Sequence, residues 1–209
     1  GGGFQAASSK TKPAPPRPAA TTSKLSMIDA AVRLSRAPCN EEKGVLCFCS
    51  TKAACVQYAR RFATEGVVPP LLPSAHHQYD ERIQDLLDEL DHACPEGLTT
   101  HLEECVKARV AFYHAGLHSA EQKILEAHFS NGTLRLLVAT TSLAEGVNLP
   151  VRRVIHTSLK LGKEDISALK FHQMSGRAGR AGLEDLGEAF LIVESQAESE
   201  RGFDLATAP

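Results

Sequence analysis

The chain has 209 residues, 43% hydrophobic and 23% charged, with a formal net charge of −2. Such a composition is that of a globular chain of one domain with a tail, or of two small domains. No apolar run approaches the roughly 18 residues a membrane span needs, and a chain this close to neutral can bind nucleic acid only through a local patch.

Residues 1–24, GGGFQAASSKTKPAPPRPAATTSK, are rich in Gly, Ser, Thr, Pro and Ala and carry no acid. They cannot bury enough apolar surface to offset their ordering entropy, so a disordered linker is expected. The chain opens on Gly1 rather than Met, and a fragment of a longer protein is expected. A domain is expected over 25–200, beginning with a helix in LSMIDAAVRLSR and a buried strand in GVLCFCS. Ser50 and Thr51 then stand as N-cap candidates for a helix that runs to Gly66. VVPPLLPS breaks the pattern. A helical insert of about 67–109 follows, with an amphipathic helix over 75–93 and another over 97–107.

From there short strands and helices alternate. RVAFYH, LRLLVAT, VRRVIHT and GEAFLIVES read as strands. SAEQKILEAHFSNG reads as a helix capped by Ser119, with Gln122 at the capping-box position. ISALKFHQMSGRAG reads as a helix continuing into its glycines, and 201–209 as a tail. Apolar strands separated by helices predict a mainly parallel sheet covered on both faces, an α/β fold.

The six cysteines (39, 47, 49, 55, 94 and 105) follow no metal-binding spacing and are expected as free thiols. Cys47 and Cys49, two apart, are expected on one side of their strand. The nine histidines form no HExxH, and NGT at 131–133 is too short a match to carry a glycosylation argument.

Ligands of parallel sheets sit beyond the C-terminal ends of the strands. The residues expected there are Ser50 and Thr51, then His114 and Gly116. Thr140, Thr141, Gly146 and Asn148 follow, and finally Arg177 and Arg180. Taken singly, Gly116 and Gly146 read as turn residues, His114 as a core histidine and the threonines as helix caps. The expectation that all four groups share one edge favours a phosphate-binding site, because helix N-termini, close-approach glycines and planar guanidiniums all suit that anion.

YHAGL, TTSLAEGVNLP and QMSGRAGRAG together resemble the second RecA-like domain of superfamily-two helicases. The spacing from GVNLPVRRVI to HQMSGRAGRAGLEDLGEAFLI is similar to the branch containing the helicase half of DNA polymerase theta and the HELQ helicase. The resemblance covers roughly residues 44–195 and implies a three-layer RecA-like fold without its own P-loop. It implies that ATP and Mg²⁺ are held mainly by a first RecA-like domain, while Arg177 and Arg180 reach the terminal phosphate with Gln173 beside them and Arg180 as the arginine finger. Gly146, Asn148 and Gly176 would lie at the nucleotide. Ser50, Thr51, His114, Gly116, Thr140 and Thr141 would follow the phosphates of one nucleic-acid strand. It also implies a nuclear DNA-repair helicase acting on single-stranded or tailed duplex DNA. An RNA helicase of the same superfamily and a non-catalytic RecA-like scaffold stand as alternatives.

A spacing of three is expected to put both guanidiniums on one helical turn. No G-x-x-x-x-G-K-[ST] occurs, and LGKE at 161–164 lacks its first glycine and its hydroxyl. DELD at 88–91 mimics a metal-binding acidic box, but it falls inside an amphipathic helix rather than after a buried strand. The chain alone is therefore expected to hydrolyse no ATP.

Overall fold

Val-, Leu- and Phe-rich tetrapeptides build the centre of the molecule. The computed structural model describes residues 26–70, 76–94, 96–140, 149–179 and 186–208. Five parallel strands, β1 (Val45–Phe48), β2 (Val110–Tyr113), β3 (Leu136–Ala139), β4 (Arg153–His156) and β7 (Glu188–Leu191), form one sheet in the order β2-β3-β1-β4-β7. Every residue of β1, β2 and β3 is buried, so both faces of the sheet are covered. That is why these strands read as continuous apolar runs rather than as alternating ones. The architecture is the RecA-like α/β fold that the sequence predicts.

The helices are α1 (Met27–Asn40), α2 (Lys52–Thr64), α3 (His76–Ala93), α4 (Thr100–Lys107), α5 (Ser119–Ser130), α6 (Ala168–Ser175) and α7 (Gln196–Thr207). Hydroxyl caps start four of them. Ser26, Thr51, Ser167 and Ser195 accept from the backbone N–H three residues on, satisfying donors that the first helical turn leaves orphaned. In the insert, α3 buries Leu86, Leu87 and Leu90 and carries 88–91 within it, while α4 buries Leu102, Cys105 and Val106. Cys39, Cys47, Cys49, Cys55 and Cys105 are buried free thiols and Cys94 is half-buried.

Three details differ from the sequence reading. The cap of α5 is His118, not Ser119. Its backbone N–H donates to Glu121 Oε2 at 2.7 Å, so Glu121 takes the reciprocal place expected of Gln122. Gln122 Nε2 instead donates to the carbonyls of His114 (3.1 Å) and Leu117 (3.4 Å), gripping the loop after β2. Helix α6 stops at Ser175, before the glycines. Helix α7, unpredicted, packs on α6 and buries little beyond Gly202.

A two-residue ladder, β5 (Lys160–Leu161) with β6 (Glu164–Asp165), projects between β4 and α6. It is held by Gly162 N–H to Ser50 O at 3.0 Å, by Ile166 N–H to Leu159 O at 2.9 Å and by the ion pair Arg201–Asp165 at 2.8 Å.

The opposite ends of the strands are clamped by charge. Arg109 is buried and donates through Nη1 (3.0 Å) and Nη2 (2.6 Å) to the two carboxylate oxygens of Glu42, while its Nε donates to Thr133 O at 3.3 Å. Arg135 Nε adds a second contact to Glu42 Oε2 at 2.9 Å. Glu42 and Arg109 both adopt the left-handed backbone region, at φ 55° and 60°, a conformation that is costly for side-chain-bearing residues. Burial raises the Glu42 carboxyl, but hydrogen bonds and charge from Arg109 and then Arg135 outweigh it and hold the group below the usual carboxylate range. The network gathers the starts of β1, β2 and β3, since Val45 N–H donates to Arg135 O and Arg135 N–H to Arg109 O.

Glu42→Gln is expected to destabilise the domain by about 2–3 kcal/mol in urea unfolding. It leaves Arg109 uncompensated, a loss trimmed by the partial solvent exposure of Glu42. Because the Glu42 pKa is depressed on folding, its contribution is present above the unfolded carboxylate pKa and fades as pH falls through the folded one. The variant's stability is expected to be correspondingly less pH-dependent in that acidic window.

Candidate nucleic-acid interface and arginine turn

The C-terminal ends of the strands are tied into one rim by main-chain bonds. Cys49 N–H donates to Ala139 O (2.9 Å), Thr140 N–H to Tyr113 O (3.0 Å) and Thr157 N–H to Phe48 O (3.0 Å). These bonds bring together the segments that follow β1, β2, β3 and β4. Ser50, Thr51, His114, Gly116 and Thr140 therefore lie along one edge, as the sequence predicts for these five.

Three of them, Thr51, His114 and Gly116, have a defined local role. The Thr51 hydroxyl accepts from Ala54 N–H at 3.1 Å and starts α2. Its oxygen is used as a cap, while its proton stays available to an external acceptor. The His114 ring stacks on Phe112, with centroids 5.5 Å apart and 21° between planes, and its Nδ1 accepts from Gly116 N–H at 3.2 Å. That bond requires an unprotonated Nδ1. Burial, reinforced by the Lys52 charge, pushes the His114 pKa below its ordinary value and so favours the neutral ring. Gly116 has no room to spare: a Cβ there would stand 3.1 Å from His114 Nδ1 and 3.2 Å from Lys52 Nζ.

Lys52 is the rim residue that the sequence reading missed. It is exposed, it follows Thr51 directly, and its ammonium lies over Gly116. A cation in the first turn opposes the helix dipole, whose N-terminus favours negative charge. That local violation was visible in the sequence, since Lys52 comes straight after the Ser-Thr cap pair. The arrangement offers an anion an ammonium, a hydroxyl and helix N–H groups at one place.

The arginine turn is not part of this rim. Gln173 and Gly176 are exposed at the end of α6 and Arg177 is half-buried beyond them. Ala178 then pairs in parallel with Val151, and Gly179 N–H donates to Val151 O at 2.8 Å. Val151 lies before β4 and Thr157 after it, so at roughly 3.3 Å per residue the chain one step past Arg177 is about 20 Å from the rim. The single edge expected for all four groups is thus replaced by two surfaces. The reason is local. Gly179 sits at φ +78°, where a helix cannot continue, and Gly187 packs against it so closely that a Cβ there would stand 2.3 Å from the Ala178 carbonyl. The expected helical turn for both guanidiniums is likewise not formed, because the chain has left the helix by Arg177. Thr141, Gly146, Asn148 and Arg180 lie outside the described residues.

The model of the helicase conserved C-terminal domain matches residues 76–182, just over half of the chain, from α3 through the arginine turn. The chain belongs to that helicase family. This helicase domain is 36% identical over 177 residues to DNA polymerase theta of Drosophila melanogaster, covering 78% of the chain and 8% of that protein. It is 36% identical over 157 residues to the POLQ-like helicase of Caenorhabditis elegans (75% and 16%). It is 34% identical over 160 residues to the ATP-dependent DNA helicase Hel308 of Pyrobaculum calidifontis (74% and 22%). The match is thus to the polymerase-theta, POLQ-like and Hel308 branch, and the domain spans less than a quarter of the length of each of these relatives.

Gly187→Ala is expected to cost about 1–3 kcal/mol in thermal or urea unfolding, since its methyl group has to displace the Ala178 backbone. The same variant should speed hydrogen exchange at Gly179 N–H, which reads the turn directly.

Proposed function

We propose that this domain is the C-terminal lobe of an ATP-dependent DNA helicase or translocase, working with a first RecA-like lobe of the same protein. The observation that carries the reading is the separation of two polar surfaces. Exposed Thr51, Lys52 and Gly116 occupy the ends of the strands, and a helix end with Gln173 and Gly176 exposed delivers Arg177 toward their starts. A lobe that grips a strand on one side and meets a nucleotide held by a neighbour on another needs such a division.

The arginine turn fits part of ATP. Guanidinium and amide groups beside an open glycine suit a terminal phosphate. No glycine-rich loop ending in Lys-Ser or Lys-Thr is present in the sequence to hold the inner phosphates or Mg²⁺. Arg177, Arg180 and Gln173 would face the terminal phosphate, with Gly176, Gly146 and Asn148 beside the nucleotide. The first lobe would supply the remaining contacts and the Mg²⁺. Hydrolysis of ATP supplies the free energy for movement. A guanidinium aimed at the terminal phosphate neutralises charge that grows in the transition state, where such groups count most.

At the rim, Ser50, Thr51, Lys52, His114, Gly116, Thr140 and Thr141 would follow one strand through its phosphates, so grip is independent of base sequence. The similarity to DNA polymerase theta and to the DNA helicase Hel308 favours DNA over RNA, and the polymerase-theta similarity favours a nuclear role in repair. Intact Gln173, Arg177 and Arg180 speak against a scaffold that has lost catalysis.

This chain alone is expected to release no phosphate from ATP in a malachite-green assay, with or without DNA; turnover would overturn the two-lobe reading. Joined to its first lobe, Arg180→Ala should lower kcat by on the order of 10³ and Arg177→Ala by on the order of 10². Lys52→Ala should weaken single-stranded DNA binding uniformly across sequences and reduce the salt slope of affinity by about one. An unchanged slope would remove Lys52 from the interface.

A further inference from the structure

His156, the last residue of β4, is fully buried in a setting that strand propensity does not explain. Its ring lies between Phe48 (centroids 5.7 Å apart, 23°) and Phe171 (4.7 Å, 29°). Nε2 is 3.0 Å from Ser175 Oγ, while Nδ1 is buried with no hydrogen-bond partner among the described residues. Of the two neutral tautomers, the one with the proton on Nε2 leaves only a lone pair unsatisfied at Nδ1, whereas the other buries an orphan N–H donor. Nε2–H therefore donates to Ser175. Burial pushes the pKa of this imidazole down to about 4, which keeps it neutral near pH 7.

Ser175 is the last residue of α6, two positions before Arg177, and its carbonyl accepts from Ala178 N–H at 3.0 Å. One residue thus receives the imidazole on its side chain and the arginine turn on its main chain. Phe171, one helical turn earlier, rests on the same ring. A leucine or valine at 156 would fill the space and leave Ser175 without this partner.

We propose that His156 is a positioning residue for Arg177: clamped by two phenyl rings and bonded to Ser175, it fixes where α6 ends and so where the guanidinium is presented. This rests on the reading of Arg177 as a nucleotide-facing group. His156 is also the last residue of β4, directly before Thr157 at the rim, so one residue ties the arginine turn to the strand-binding end of β4.

The test uses Ser175→Ala and His156→Phe, singly and combined, in the enzyme that joins this domain to its nucleotide-binding lobe. Each is expected to lower kcat of DNA-stimulated ATP hydrolysis about tenfold, in line with the cost of small misplacements, with KM for ATP unchanged. The double variant should fall no further than either single one, and Ser175→Thr, which keeps the hydroxyl, should retain activity. On this chain alone, Ser175→Ala should speed hydrogen exchange at Ala178 and Gly179 by about tenfold, because local opening then becomes easier. Unchanged exchange overturns the proposal, as does unchanged kcat when Arg177→Ala is slow, or lost thermal stability with kcat intact. If Arg177→Ala itself leaves kcat unchanged, the arginine reading fails and the exchange result alone decides what His156 does. Should His156→Phe not fold, the Ser175 variants carry the decision.

Discussion

The close approach of Gly187 to Ala178 and Gly179 is the constraint on which the two-surface layout depends. Two backbones meet there with no space for a methyl group, and the contact holds the chain, which has already left α6, against the start of β4. An alanine at either position would push the two backbones apart. A backbone contact thus holds the chain just after Arg177 against the start of β4.

The sheet supplies the frame for that contact, and charge and apolar packing divide the work of holding it. At the strand starts, Glu42 joins two arginines from two neighbouring strands. At the strand ends, the clamp is uncharged: Phe48, His156 and Phe171 stack in succession. The difference is sensible in a molecule whose strand ends are read as meeting phosphates. A fixed carboxylate there would repel the ligand, whereas a neutral ring does not.

Much of this was legible in the sequence because it follows from periodicity. Runs such as LLVA between helical segments require a doubly covered parallel sheet, and Thr51 before an amphipathic stretch is a cap by its chemistry. What escaped depends on contacts between residues far apart in the chain. Gly179 looks like any glycine until Gly187 and Val151 are seen beside it, so the end of α6 was placed four residues late. The grouping of Arg177 with His114 assumed that everything following an element lies on the same side, a rule for strands that does not hold for a helix running back across them. Lys52 was overlooked because a lysine at a helix start looks like ordinary surface. The cap of α5 was missed by one residue, since histidine rarely fills that place.

The small ladder of β5 and β6 has a mechanical consequence. It touches the rim through Gly162 and Ser50, and it touches α7 through Arg201 and Asp165, so a pull on the last helix is felt beside the first strand's end. The two links respond to different conditions. An exposed ion pair contributes little and weakens as ions are added, whereas the amide-to-carbonyl bond is nearly indifferent to them. Ionic strength therefore sets how stiffly α7 is coupled to the rim, and in concentrated salt the ladder is left hanging from its main-chain bonds alone.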